Sequence, residues 1–446
     1  MNGRPVQGGG DSVCPAVVIS GSPDAPASDS VSIGTRQLAS EVYETTLPSG
    51  TRILSERMDS VRSAAVGFWF RSGSAHEPEA QAGITHLLEH MVFKGTDRRS
   101  ARQLALAIEG LGGSLDAYTS HEHTSFLVRV PEGGLETAVD VLSDLCFHPR
   151  LDEADLELER EVVLEEVARV EDTPDDLVFE LHGAFLFDGH PYGAPILGKP
   201  ATVSSIRREY LVRQHQVGFQ PSRLVVAGAC LLEHDRLVEL VAARLPDVAG
   251  SAPPDLAPPD SWGTGHRTEK RPGGSQAHLV AGAPGVPWGD PLRDATIVVG
   301  TALGGGMTSR LFQRIREELG LAYSVFSWQS FYRRGGALGA YVGTRPETLD
   351  RAREVLFAEL ALLAERGLAA DEDAETRTQL RGQLLLALES PASRMHRLAS
   401  TALSDEPYRP LDEISRRIEA LTTEQIAEAC RLLRPEALAV LELVPA

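Results

Sequence analysis

Residues 125–145 read SFLVRVPEGGLETAVDVLSDL, and residues 336–356 read GALGAYVGTRPETLDRAREVL. In both, an apolar β-rich run meets a Pro-containing loop and then an amphipathic helix pattern. The parallel extends outward. SAAVGFWFRSGS (63–74) precedes the first copy as a buried strand, and QAHLVAGAPGVP (276–287) stands at the matching place before the second. The helix after that strand is ITHLLEHMVF (84–93) in one copy and DATIVVGTAL (294–303) in the other. The chain thus reads as two diverged copies of one unit. Strands, helices and hairpins are mixed in each, which predicts an α+β fold. It comprises two homologous domains, each a mostly antiparallel sheet packed with helices.

The join is marked by AGSAPPDLAPPD (249–260), rich in Pro, Ala and Asp and without periodicity, as in a semi-rigid linker. This places a flexible N-terminal tail at 1–40, one domain at 41–248, a linker at 249–270 and a second domain at 271–446. Within the first domain, YETTLPSGTRILSER (43–57) predicts a hairpin about Pro48-Ser49-Gly50. SARQLALAIEGLGG (100–113) predicts a helix capped by Ser100 and stopped by Gly112-Gly113. A long charged helix is expected from Asp152 to Glu171, and LVVAGA (224–229) as a further buried strand.

Charge narrows the function. Against 43 Lys and Arg stand 63 Asp and Glu, a formal net charge of -20. Phosphate binding needs a basic face, so nucleic acid is not the expected partner. Cys14, Cys146, Cys230 and Cys430 are scattered, with no CxxC pair, which suits a reducing compartment. No stretch reads as a secretory signal or membrane span. The expected location is the cytoplasm.

The chemistry lies in the helix of the first copy. His86 and His90 are four apart, one helical turn, so both imidazoles lie on one face and can share a cation. Glu89 projects near the same face and can reach a metal-activated water. The surrounding residues Ile84, Leu87, Leu88, Met91, Val92 and Phe93 are apolar. A buried polar trio in such a helix needs partners, and a metal supplies them. The second copy has neither His nor Glu there, so only one domain carries the metal. Catalytic zinc takes three protein ligands and keeps one position open. The charged helix offers Glu159, Glu161, Glu165 and Glu166 for the third. Glu159 and Glu166 are two turns apart on one face, alongside Val162, Val163 and Val167, whereas Glu161 and Glu165 are expected to face solvent.

HLLEHMVFKGT (86–96), LGGSLDAYTSHEHT (111–124) and LEREVVLEEV (158–167) together resemble the pitrilysin and mitochondrial processing peptidase family of inverzincins. The likeness runs from about residue 41 to the end. It implies a zinc metallo-endopeptidase with one Zn2+ per chain and Glu89 as general base. Counting 76 residues on from His90, as the family spacing directs, makes Glu166 the third ligand, and Glu159 then orients the site from behind. The edge strand that pairs with substrate backbone maps to Asp116, Ala117, Tyr118, Thr119 and Ser120. The family's usual Asn is Asp116 here, which removes an amide donor. His121 and His123 just beyond are read as surface residues rather than ligands. RLFQRIREELGLAYSVFSW (310–328) resembles a second family signature, whose Arg and Tyr map to Arg316 and Tyr323. The resemblance gives them contacts to the substrate backbone and, for Tyr323, a share in holding the oxyanion.

The resemblance further implies paired two-domain chains enclosing a chamber that admits peptides and unfolded segments. The pair is a homodimer or a heterodimer with a homologous subunit, and Arg316 and Tyr323 can serve the partner's metal. Two other roles are open at this level: processing of one leader peptide, and service as the metal-free member of a heterodimeric peptidase.

Overall fold

The computed structural model describes residues 34–248, 250 and 255–446. Cys14, the tail expected up to residue 33 and the linker residues 249 and 251–254 lie outside the described residues. The first sheet contains β1 (Gly34–Ala39), β2 (Val42–Thr46), β3 (Arg52–Arg57), β4 (Ser63–Phe70), β5 (Ser114–Thr119), β6 (Thr124–Pro131) and β7 (Leu224–Cys230). Its helices are α1 (Ile84–Val92), α2 (Ala101–Glu109), α3 (Leu135–Phe147), α4 (Glu153–Asp172), α5 (Pro174–Leu186), α6 (Pro200–Ser205), α7 (Arg208–Gly218) and α8 (His234–Ala242). The second sheet contains β8 (Gly265–Arg271), β9 (Ala277–Gly285), β10 (Ala322–Phe331), β11 (Gly336–Thr344) and β12 (Ala439–Pro445). The helices used below are α9 (Arg293–Gly304), α10 (Leu349–Arg366), α11 (Ala370–Ala387) and α12 (Pro391–Leu403).

The two copies are the same topology. The first sheet runs β1-β2-β3-β7-β4-β6-β5 and the second β10-β11-β9-β12-β8. Reversed, the second order matches β3-β7-β4-β6-β5 strand for strand. The directions agree as well: β3 with β7 and β8 with β12 are the parallel pairs, and the other pairs are antiparallel. β5 and β10 are therefore equivalent edge strands.

Two boundaries differ from the sequence reading. β1 begins at Gly34, inside the expected tail, and β8 begins at Gly265, inside the expected linker. Most of β1 and all of β8 are exposed, so neither carries the period-two burial that marks a strand in sequence. Their backbone pairing with β2 and β12 fixes them instead.

Each half packs its own helices on one sheet face, giving a core of α1, α3 and β4 with Phe68, Phe70, Leu87, Met91 and Leu142. The opposite faces are covered reciprocally. α12 of the second half lays Met395, Leu398, Ala399 and Ala402 on Leu54, Ala65, Trp69 and Val225 of the first sheet. α5 of the first half lays Leu177 and Val178 on Val280, Tyr341 and Leu441 of the second. Neither half is complete alone.

Candidate metal centre

α1 is started by a tight turn. Gly83 has φ of +94°, and a Cβ there would meet the Leu197 carbonyl oxygen at 2.5 Å. The Glu77 carboxylate accepts from Gly83 N–H at 2.8 Å and Thr85 N–H at 2.7 Å, satisfying donors that a helix start leaves free. Burial pushes the Glu77 carboxyl up to about 7, against the pull of its bonds to Thr85 and Gly83. Ile84, Leu87, Leu88, Met91 and Val92 are fully buried, locking the rotation of the helix.

That rotation aims His86 and His90 at α4. Their ring centroids are 4.7 Å apart. Each Nε2 lies 3.6 Å from Glu166 Oε2, and the three ligand atoms fall within 4.8 Å of one another. At 3.6 Å these are not hydrogen bonds. Two bonds of about 2.0–2.1 Å at the tetrahedral angle separate ligand atoms by roughly 3.4 Å, so the spacing suits one shared ion. Among the described residues this is the one group of three or more His, Cys, Asp and Glu able to hold a metal. On α4, Glu161 and Glu165 face solvent as expected, but so does Val162.

Glu159 is buried and stands behind the trio. His90 Nδ1 donates to its Oε2 at 3.1 Å, which leaves His90 Nε2 as the free lone pair. Lys94 pairs with its other oxygen. Lys94 is a partner that sequence reasoning missed. His86 has no such support, since its Nδ1 is buried without a partner. Burial, then the neighbouring His90, lowers His86 to about 4.

Among the described residues no hydrogen bond or ion pair joins Glu89 to the trio, although it interacts electrostatically with His90 and Glu166. It accepts from Thr119 Oγ1 at 2.5 Å, which links α1 to the edge strand. Burial raises its pKa, while Thr119 and His90 pull it down and Glu166 adds to the rise. On β5, Leu115 and Ala117 pack towards the core and Thr119 towards Glu89. Alternation sends Asp116 and Tyr118 to the other face, where Tyr118 accepts from Trp69 Nε1 at 3.3 Å. Asp116 therefore points away from the metal group. Ser120 bonds to His123 through its hydroxyl and backbone. His121 and His123 are half-buried rather than surface residues. His121 lies against Tyr192 and Tyr332, and His123 against Tyr118. Neither joins the metal group.

Arg316 lies in a π-helical turn, Phe312–Glu318, and Tyr323 near the start of β10. The guanidinium sits 4.7 Å over the Tyr323 ring and 4.6 Å over Phe312. Tyr323 is 76% exposed. Among the described residues no hydrogen bond, ion pair or ring contact joins this pair to His86, Glu89, His90 or Glu166.

The insulinase family model (peptidase family M16) matches residues 52–200, and the M16 inactive-domain model matches residues 205–380. An uncharacterized zinc protease of Streptomyces coelicolor is 37% identical over 398 residues, covering 87% of this chain and 86% of that protein. One from Mycobacterium leprae is 39% identical over 391 residues, covering 86% and 87%. A probable mitochondrial-processing peptidase subunit beta of Arabidopsis thaliana is 31% identical over 410 residues, covering 87% and 75%. A protease of Helicobacter pylori, solved by crystallography, has the same fold. Its TM-score is 0.85 at 19% identity, over 91% of this chain and 99% of that one.

Proposed function

The chain belongs to the insulinase family of peptidases, M16, and from that premise we propose that it is a zinc endopeptidase. Its metal would be held by His86, His90 and Glu166, with Glu89 as general base. One observation carries this reading: two imidazole nitrogens and one carboxylate oxygen from two helices converge without hydrogen-bonding one another. The set is the two-His, one-Glu type of catalytic zinc sites. When bound, the zinc ion supplies Lewis acidity at the scissile carbonyl and lowers the pKa of water there. Glu89 takes the proton of the attacking water as the C–O bond forms, and returns it to the amide nitrogen as the C–N bond breaks. Thr119 fixes the Glu89 carboxylate for both transfers.

β5 presents one unpaired backbone edge, on which a peptide can lie extended as an added strand. Backbone pairing favours peptides and unfolded segments over folded proteins. Arg316 and Tyr323 are the groups we assign to the substrate backbone and the developing oxyanion. The lack of any hydrogen bond, ion pair or ring contact between them and the chain's own trio among the described residues favours service in a paired subunit, and a dimer enclosing a chamber supplies it. Cys146, Cys230 and Cys430 are free and buried, which supports a cytoplasmic location. No described helix is long and apolar enough to cross a membrane. A metal-free scaffold role is the reading that the complete trio argues against.

The test is cleavage of a quenched fluorescent peptide by zinc-loaded protein, alongside Glu89→Gln. The variant should hold zinc and lose cleavage. Normal turnover by that variant would remove Glu89 from the mechanism.

A further inference from the structure

β5 ends at Thr119 and β6 begins at Thr124, so residues 120–123 form the turn that closes the edge strand beside the metal group. Two of its fixings come from the same half. Ser74 N–H donates to the Ser120 carbonyl at 3.0 Å, and Ala75 N–H to the His121 carbonyl at 2.9 Å. Glu122 adds a further bond within that half and one that leaves it. Its Oε1 accepts from the Tyr192 hydroxyl at 2.6 Å and from Arg333 N–H at 3.0 Å. Its Oε2 lies 3.2 Å from the same N–H. Arg333 belongs to the tip between β10 and β11, in the half without a metal, where Tyr332 N–H closes the turn on the Gly335 carbonyl.

The tip is held around this contact. Tyr332 stacks on Tyr192 at 4.2 Å with rings 18° from parallel. The Arg333 guanidinium donates to Asp405 Oδ2 at 2.7 Å and to the Leu403 carbonyl at 3.1 Å. Asp405 also receives Arg71 and Arg52 from the first half. Burial raises the Glu122 pKa, and its bonds to Tyr192 and Arg333 hold it down. A carboxylate is costly to bury, so its placement at a seam with two donors aimed at it is a built feature.

We propose that Glu122 is a positioning residue: it ties the turn after β5 to the hairpin tip of the metal-free half. That tie fixes the edge strand on which both the substrate backbone and the Thr119 hydroxyl depend. The metal-free half thereby acts on its own chain's active strand. The catalytic consequence rests on the peptidase reading, while the tie itself is a property of the fold.

The test uses the full zinc-loaded chain. Glu122→Leu removes both acceptors, Glu122→Gln keeps one acceptor oxygen, and Tyr192→Phe removes one donor but keeps the ring stack. Amide hydrogen exchange without substrate should be about tenfold faster over residues 114–124 in Glu122→Leu, with an intermediate change in Tyr192→Phe. Zinc content should not change. KM for the quenched peptide should rise about fivefold in Glu122→Leu and recover in Glu122→Gln, which a smaller folded fraction would not produce. Unchanged exchange over 114–124 in Glu122→Leu would overturn the tie. Should Glu122→Leu fail to fold, Glu122→Ala, which also takes the acceptors from Arg333 N–H, decides it. Faster exchange with unchanged KM would overturn the positioning role. If the unsubstituted protein cleaves nothing, the peptidase reading falls, and the exchange measurement still judges the tie.

Discussion

Glu89 and Thr119 meet across 2.5 Å from a helix and an edge strand, thirty residues apart in sequence. The hydroxyl has one evident job, to hold a carboxylate that must first accept and then release a proton. Thr119→Val keeps the shape and removes that bond. It should lower kcat about tenfold with zinc content and KM near normal, and Thr119→Ser should restore most of the loss, as steady-state kinetics would show. Lys94 acts one step further back, through Glu159 on His90. Lys94→Met should weaken zinc binding by about 10- to 100-fold, measured by competition with a chromogenic chelator. At this scale the sequence is readable where spacing alone makes the contact. His86 and His90 are an i, i+4 pair and need only a helix. Glu166 is 76 residues on from His90, and only resemblance singled it out among the acids of α4. Thr119 to Glu89, Lys94 to Glu159 and Glu122 to Arg333 depend on how separate elements are docked, and no local pattern announces them.

α1 is a nine-residue helix whose direction decides the site, and its first turn is set by Gly83. Gly83→Ala forces a side chain into a left-handed backbone and against the Leu197 carbonyl. It should destabilise the protein by about 1–3 kcal/mol, seen as a lower Tm, and weaken zinc binding through the displaced His86. Elements with strong local signals were legible: the hairpin of β2 and β3, buried β4 and β7, and α2. The Ser100 cap of α2 accepts from Gln103 N–H as the sequence predicts. β1 and β8 were not legible, because strands exposed along their length show no alternation. The packing of α5 and α12 was equally hidden. Their apolar residues mark a buried face, but periodicity cannot say that the sheet covering it belongs to the other half.

The duplicated halves are interlocked, and their seam holds the buried His182 and the half-buried His76, His121 and His123. His182 on α5 bonds to the Ala439 carbonyl of β12 at 3.0 Å. Burial lowers His182, His76, His121 and His123 each to about 4. In the unfolded chain these rings titrate near 6.5. As pH falls below about 6.5 the unfolded chain takes up protons that these rings refuse until about 4, so the four together lower stability over that window, against the opposite contribution of Glu77. Thermal melts of chelated protein should show Tm steady above pH 7 and dropping steeply from about pH 6.5 to 4. A flat profile would mean that the seam is wet. The same seam makes the chain cooperative: α12 truncation should unfold the first half as well as the second.

The most direct measurement of the central claim is metal stoichiometry by mass spectrometry of the purified protein, paired with Glu166→Ala and with chelation. The account predicts about one zinc per chain, affinity reduced by about 100-fold or more in Glu166→Ala, and cleavage abolished by chelator and restored by added zinc. Full cleavage by protein that carries no transition metal, or unaltered zinc affinity in Glu166→Ala, would contradict it.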